Sequence, residues 1–271
     1  MSTFRDDDLT HLEAHGIPAL PAPDRSGYVE NENARIWYAS FGAGPPVVLL
    51  HGGLGDAGNF GHQVPALVAA GYRVIAVDSR GQGRSSRDGR PYSYQLMASD
   101  VRAVMDDLGI GQAAFVGWSD GADIALVLAH DTPERVGGIF FFACNVDAAG
   151  TLPFVFTDRI GRIYNHHVRD YAALSPAPGA FETMRDDLGV MQKAEPNYSA
   201  ADLALIRCPV WAVLGEHDEF IRREHIEYIA RTVPTGRFVL LPELSHFAPL
   251  QRPDAFNAVV LDFLRQAQAV Q

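Results

Sequence analysis

The feature that most constrains this chain is Gly117-Trp118-Ser119-Asp120-Gly121, a serine between two glycines that follows an apolar, strand-like run. A helical pattern comes next, so the chain must turn sharply at the serine, and side chains at either glycine would collide with neighbouring backbone. The serine is forced into strained backbone geometry at an exposed tip, where its hydroxyl can attack a carbonyl. The N–H of Asp120, at the helix N-terminus, can receive negative charge. The pattern and its context predict a nucleophile elbow at Ser119.

The length and charge of the chain limit the classes of protein that it can represent. Its 271 residues, 47% of them hydrophobic, can bury a substantial core and fit one domain with an insertion. Lys and Arg total 22 against 33 Asp and Glu, a net charge of −11, which argues against nucleic acid or an anionic membrane as partner. The run Asp6-Asp7-Asp8 is unlike a signal peptide and the apolar runs are strand-sized, so we expect a cytoplasmic protein. Quaternary structure stays open, and a homodimer is one option.

The two cysteines predict neither a disulfide nor a metal site. Cys144 closes one apolar run and Cys208 opens the next, so parallel strands would place them at opposite sheet edges, roughly 15 to 20 Å apart. Neither has the spacing of a metal ligand. We expect two small buried residues and no cofactor.

Short β-type runs alternate with helical patterns along the chain. Several runs are apolar without alternation, which is typical of parallel strands covered by helices on both faces. The spacing of apolar residues predicts helices over 94–108 and 256–264. The pattern predicts an α/β fold with about eight mostly parallel strands, and the runs read as strands are Ile36 to Ser40, Val47 to Leu50, Val74 to Val77, Ala113 to Val116, Gly138 to Ala143, Val210 to Leu214 and Phe238 to Leu241.

The alternation stops after Asn145 and resumes at the strand beginning at Val210. The intervening segment is rich in aromatic residues and prolines, and we interpret residues 146–205 as a helical cap inserted after the sixth strand. The predicted division is an N-terminal extension at 1–27, a core at 28–145 and 206–271, and this cap. Most cap aromatics are expected to pack the cap itself, and some to line an apolar pocket beneath it.

A serine hydroxyl needs a base, and the base needs an acid that holds its tautomer. His246 follows the last predicted strand, so its loop emerges at the same sheet edge as the elbow. Asp218 follows the strand ending at Leu214, at that same edge, and the order Ser119, Asp218, His246 is the order that accompanies this elbow. Asp147, just after another strand, is the alternative acid.

The glycine loop His51-Gly52-Gly53 follows a strand and leaves backbone N–H groups free to face an oxyanion. We expect Gly53 to be the donor, with Leu54 in reserve. His51 is expected to form hydrogen bonds within the loop, because chain order supplies His246 as the base.

With these motifs the chain resembles the α/β-hydrolase fold superfamily, in the branch of small capped esterases, lactonases, cofactor-free haloperoxidases and carbon–carbon bond hydrolases. The resemblance covers residues 28–265 and rests on His51-Gly52-Gly53, the turn at 78–85, the elbow, Gly215-Glu216-His217-Asp218 and Ser245-His246-Phe247. It implies that Ser119 is the nucleophile, His246 the base and Asp218 the acid, with the N–H groups of Gly53 and Asp120 as oxyanion hole. Many relatives have a neutral residue at the position of Asp120, which leaves a preference for anionic acids open.

The resemblance predicts a serine hydrolase that cleaves a small carboxylic ester or lactone, a small-molecule acyl substrate, through an acyl-enzyme. The residues expected to contact this substrate are Leu54, Trp118, Phe154 and Phe247. The same groups would also serve a carbon–carbon bond hydrolase or a cofactor-free haloperoxidase or perhydrolase, and fold alone does not exclude a non-catalytic binding protein.

A dinucleotide-binding site is a rival interpretation of the loop after the second run. Gly53, Gly55 and Gly58 form a literal G-x-G-x-x-G, and Asp78 ends the next strand. However, two residues separate the strand from Gly53, and Pro65 would interrupt a helix that starts straight after the third glycine. An oxidoreductase would also leave the elbow and His246 unexplained.

Overall fold

The computed structural model describes residues 16–269 together with Leu9, Leu12 and Ala14. An eight-stranded sheet forms its centre, in the order β1-β2-β4-β3-β5-β6-β7-β8. The pairs β1/β2 and β2/β4 are antiparallel and the other pairs are parallel, which confirms the mostly parallel sheet. The strands are β1 Arg25–Asn31, β2 Ala34–Phe41, β3 Pro46–Leu50, β4 Arg73–Val77, β5 Ala113–Trp118, β6 Val136–Phe142, β7 Val210–Gly215 and β8 Gly236–Leu241.

Helices connect the parallel strands and pack against the sheet, because strands that are apolar on both faces must be covered on both faces. The two helices predicted from apolar spacing are present, as Tyr94–Asp107 and Pro253–Ala269. The helices are α1 Gln63–Ala69, α2 Tyr94–Asp107, α3 Asp120–Asp131, α4 Asp158–Leu174, α5 Phe181–Ala194, α6 Ala200–Leu203, α7 Arg223–Thr232, α8 Ala248–Gln251 and α9 Pro253–Ala269. In the part of the chain that is described, no helix is long and apolar enough to cross a membrane.

Strand β1 was not predicted from the sequence, because its residues are polar and half of its positions face solvent. It pairs with β2 along its whole length. The strand includes residues 25–27, the end of the segment predicted as an N-terminal extension. Most of residues 1–15 lie outside the described residues, so the N-terminal extension stays a prediction.

The segment between β6 and β7 contains α4, α5 and α6 and is here called the insertion, residues 146–205. Thr157 caps the N-terminus of α4, where its side chain accepts a hydrogen bond from the N–H of Ile160 at 3.2 Å. The flanking strands β6 and β7 are buried at every position, so the core continues without a break on either side of the insertion. Both cysteines are free, and Cys144 is buried as expected, whereas Cys208 is only partly buried.

Candidate active site

Ser119 lies between the end of β5 and the first residue of α3, with φ 52° and ψ −126°. A non-glycine residue with positive φ is strained by about 1–3 kcal/mol. Two backbone hydrogen bonds hold it there: its N–H donates to Phe142 O at 2.9 Å, and its carbonyl accepts from Ala122 N at 2.7 Å. The strained turn predicted from the sequence is therefore present.

The glycines on either side of this turn are required by close packing. A Cβ at Gly117 would lie 2.5 Å from Gly121 O, and a Cβ at Gly121 would lie 2.0 Å from Leu50 O. No carbon approaches an oxygen that closely, so neither position accepts a side chain without movement of the backbone. The end of β3 thus packs directly against the start of α3, which fixes the serine relative to the sheet.

The side chains of His246 and Asp218 are brought together, with His246 at the cavity surface and Asp218 behind it. His246 Nδ1 lies 3.0 Å from Asp218 Oδ2, and both side chains are almost fully buried. The other carboxylate oxygen, Oδ1, accepts hydrogen bonds from Phe220 N at 2.9 Å and Ile221 N at 2.8 Å. The alternative acid, Asp147, instead caps a short 3₁₀ helix by accepting from Ala149 N at 2.8 Å.

Burial and nearby acids act in opposite directions on the pKa of His246. Burial lowers this pKa, but the charge and hydrogen bond of Asp218, with smaller contributions from Glu219 and Asp120, raise it above its usual value of 6.5. Glu219 also accepts a hydrogen bond from His246 N at 3.0 Å and pairs with Arg159 of α4. The loop that carries His246 is thus connected to the insertion.

The loop after β3 lies against the serine, since a Cβ at Gly52 would be 3.1 Å from Ser119 Cβ. The N–H of Leu54 donates to Gln82 Oε1 at 2.7 Å, so it is already used. No described residue accepts a hydrogen bond from the N–H of Gly53. Asp120 is the first residue of α3, and its N–H has no acceptor within that helix. The N–H groups of Gly53 and Asp120 are therefore available to donate a hydrogen bond, as the sequence predicts.

The Asp120 carboxylate is buried beside this loop, and its partners were not predicted from the sequence. Oδ1 accepts from the Tyr94 hydroxyl at 3.0 Å, and the Gln192 amide donates to Oδ1 at 3.1 Å and to Oδ2 at 3.0 Å. Burial raises the pKa of Asp120, while these hydrogen bonds and His246 oppose the rise. Gln192 belongs to α5, so the insertion reaches the residue next to Ser119.

His51 and Asp78 serve the loop rather than a ligand. His51 Nδ1 lies 2.7 Å from Gly52 O, and Nε2 accepts from Ser79 N at 2.9 Å, as expected for a loop histidine. Asp78 is fully buried and accepts from Ala57 N and Arg84 N, both at 2.7 Å. Because the Asp78 carboxylate is buried and bound to backbone N–H groups of the loops around it, it cannot reach a ribose. This removes the basis of the dinucleotide interpretation.

A cavity of about 790 Å³ opens above Ser119 and His246. The side chains predicted to contact substrate all line it: Phe247 and Trp118 are buried, Leu54 is partly buried and Phe154 is 65% exposed. Gly53 and Asp120 also line the cavity, whereas Asp218 lies behind the imidazole. Further residues line the cavity, and no pattern in the sequence indicates that they face it. They are Asn59, Tyr94, Asn145, Ile160, His167, Arg185, Gln192 and Phe220.

Comparison with known proteins places this geometry in a family. A family model described as alpha/beta hydrolase fold matches residues 45–177. BpoC of Mycobacterium tuberculosis, whose name classes it provisionally with the non-heme bromoperoxidases, is 30% identical over 86% of this chain and 98% of its own. Serine hydrolase BPHL of Mus musculus is 28% identical over 93% of this chain and 91% of its own.

A solved structure extends the comparison to three dimensions. Est816, described as an N-acyl homoserine lactone degrading enzyme, aligns with a TM-score of 0.67 and 27% identity over 88% of this chain and 100% of its own. The similarity to BpoC likewise spans most of both proteins. The chain therefore belongs to the α/β hydrolase fold family and is a hydrolase.

Proposed function

We propose that this hydrolase cleaves small carboxylic esters or lactones through a covalent acyl-enzyme formed on Ser119. The observation that carries the proposal is the combination of a strained serine at the elbow with a histidine that is paired to a buried aspartate and lines the same cavity. A serine is activated by such a base, and the base is held in its working tautomer by such an acid.

In the proposed reaction Ser119 Oγ attacks the acyl carbon while His246 Nε2 takes the hydroxyl proton. The carbonyl oxygen becomes an oxyanion and accepts hydrogen bonds from the N–H groups of Gly53 and Asp120. The carbon–oxygen bond to the leaving group then breaks, and the leaving oxygen takes the proton from His246. Water attacks the acyl-enzyme with the same histidine as base, which releases the acid and restores the serine. In a lactone the leaving hydroxyl stays attached to the acyl chain.

The walls of the cavity favour apolar, uncharged acyl compounds. Trp118, Phe154 and Phe247 supply aromatic surface, with Leu54 beside the proposed oxyanion site. We assign the insertion the role of a cap over this surface, because its residues line the cavity together with the loop after β3. The lactone-degrading description of Est816 and the serine hydrolase name of BPHL support this substrate class.

Ser119→Ala tests the proposal directly. We expect kcat for 4-nitrophenyl acetate to fall by on the order of 10⁴-fold, because the residual rate comes from binding and the oxyanion site alone. A fluorophosphonate probe should label the wild-type chain and Ser199→Ala, a control at an exposed helix cap, but not Ser119→Ala. Unchanged turnover or labelling in Ser119→Ala would refute the proposal.

Perhydrolysis is a second candidate, favoured by the similarity to BpoC. Hydrogen peroxide would replace water as the nucleophile that attacks the acyl-enzyme, and a peroxy acid would leave in place of the carboxylic acid. Bromination of monochlorodimedone in the presence of acetate, peroxide and bromide measures this activity. If perhydrolysis occurs at this site, the wild-type enzyme should brominate faster than Ser119→Ala.

A further inference from the structure

Three side chains that line the cavity each keep a buried polar atom without a hydrogen bond partner among the described residues: Asn59 Nδ2, Trp118 Nε1 and His167 Nδ1. All three side chains are buried. An unsatisfied buried donor or acceptor costs about 1–3 kcal/mol. Such atoms around a functional cavity indicate a ligand group that pairs with them.

Asn59 and His167 both line the cavity, Asn59 from the loop after β3 and His167 from the insertion. Asn59 lies in the 3₁₀ helix Ala57–Phe60, where its Oδ1 accepts from Asp56 N at 3.2 Å while its Nδ2 has no hydrogen bond partner among the described residues. His167 comes from α4 of the insertion and is close enough to His51 for its pKa to be affected. Trp118 lies beside His246, and the centroids of these two rings are 6.2 Å apart.

The side chains of Asn59 and His167 are uncharged at neutral pH. Burial, followed by the charges of His166 and His51, lowers the pKa of His167 to about 3, so its ring is neutral and offers one donor and one acceptor. Arg185 also lines the cavity, but it is paired with Glu182 and Asp186. A carboxylate on the substrate would therefore meet no free positive charge among these groups.

We propose that the substrate carries, besides the scissile carbonyl, a neutral hydrogen-bonding group such as an amide or ketone, which is held by Asn59 and His167. This inference rests on the proposed function and specifies its substrate class. A plain alkanoate ester would leave both side chains unpaired, whereas an amide can accept from Asn59 and exchange a hydrogen bond with the neutral imidazole.

Two matched pairs of ethyl esters test the inference: N-acetylglycinate against pentanoate, and N-acetyl-β-alaninate against hexanoate, with equal chain lengths in each pair. We measure kcat/KM with the wild-type enzyme and Kd with Ser119→Ala by calorimetry. In at least one pair the amide ester should be preferred by about tenfold in both quantities, as expected for two hydrogen bonds. His167→Phe and Asn59→Asp, which keeps the bond to Asp56 N, should reduce the preference to less than about threefold.

His166→Phe is the matched control, because the neighbouring ring does not line this cavity, and it should keep the preference. The inference is wrong if neither amide ester is preferred, or if the preference survives in a folded His167→Phe or Asn59→Asp protein. If one of these variants fails to fold, the other decides. Hydrolysis of all four esters without preference refutes the inference alone. Preferential binding without Ser119-dependent hydrolysis supports the inference and refutes the proposed function.

Discussion

Replacing Asp218 by asparagine separates the chemical role of this side chain from its structural one. Oδ1 of Asp218 accepts from Phe220 N and Ile221 N, while Oδ2 faces His246 Nδ1. Asparagine can keep its oxygen toward the two N–H groups, so the turn persists and the new NH₂ group faces the imidazole. A donor facing Nδ1 forces the ring proton onto Nε2, which then cannot accept the proton of Ser119.

The expected loss is on the order of 10⁴-fold in kcat, or about 5 kcal/mol of transition-state stabilisation. The pH profile should change as well. His246 acts as a base when unprotonated, so wild-type kcat/KM falls as the pH drops through the pKa of this histidine, which lies above 6.5. Asp218→Asn removes the charge that raises this pKa and leaves the burial that lowers it, so the acid limb of the residual activity should move to lower pH.

The assay is hydrolysis of 4-nitrophenyl butanoate from about pH 5 to about pH 9, with the melting temperature as a check on folding. Asp147→Asn is the matched control, because Asp147 caps a 3₁₀ helix and has no hydrogen bond to His246. Its kcat should stay within about twofold of wild type. A folded Asp218→Asn enzyme with less than tenfold loss, or an inactive Asp147→Asn enzyme, would refute the assignment of the acid.

Two further predictions concern packing and the contact between the insertion and the histidine loop. Gly121→Ala should lower the free energy of unfolding by about 3 kcal/mol or more in urea denaturation, because the new Cβ would meet Leu50 O, whereas Gly189→Ala, in an open position of α5, should raise it by up to about 1 kcal/mol. Arg159→Met should leave Glu219 without its ion pair, costing on the order of 3 kcal/mol of stability and lowering kcat/KM several-fold; equal stability of the variant and wild type would contradict this.

The parts of the site that the sequence predicts are those that follow strands of a parallel sheet. Ser119 follows β5 directly, and Asp218 and His246 lie in the loops that follow β7 and β8. The carboxyl ends of parallel strands meet at one edge, so the proximity of these residues follows from topology. The same rule could not choose between Asp218 and Asp147, since both follow strands. The side-chain contacts favour Asp218, because Asp147 caps a 3₁₀ helix and Asp218 faces His246.

Other features depend on contacts that leave no local pattern in the sequence. Strand β1 is held by pairing with β2, not by apolar alternation, and was missed for that reason. The G-x-G-x-x-G match was misleading, because Asp78 binds the loop itself. Gln192 and His167 reach the cavity from helices of the insertion, where helical spacing predicts packing but not which polar residue faces the site.

The polar contacts of the insertion fall next to the residues that would perform the chemistry. Gln192 of α5 binds Asp120, which follows Ser119, and Arg159 of α4 pairs with Glu219, which follows Asp218 and accepts from His246 N. A shift of the insertion would therefore act on the residues beside both Ser119 and His246, the proposed nucleophile and base. Because the same helices line the cavity, substrate selection and catalytic geometry are not independent. Substitutions at these contacts should therefore change kcat as well as KM.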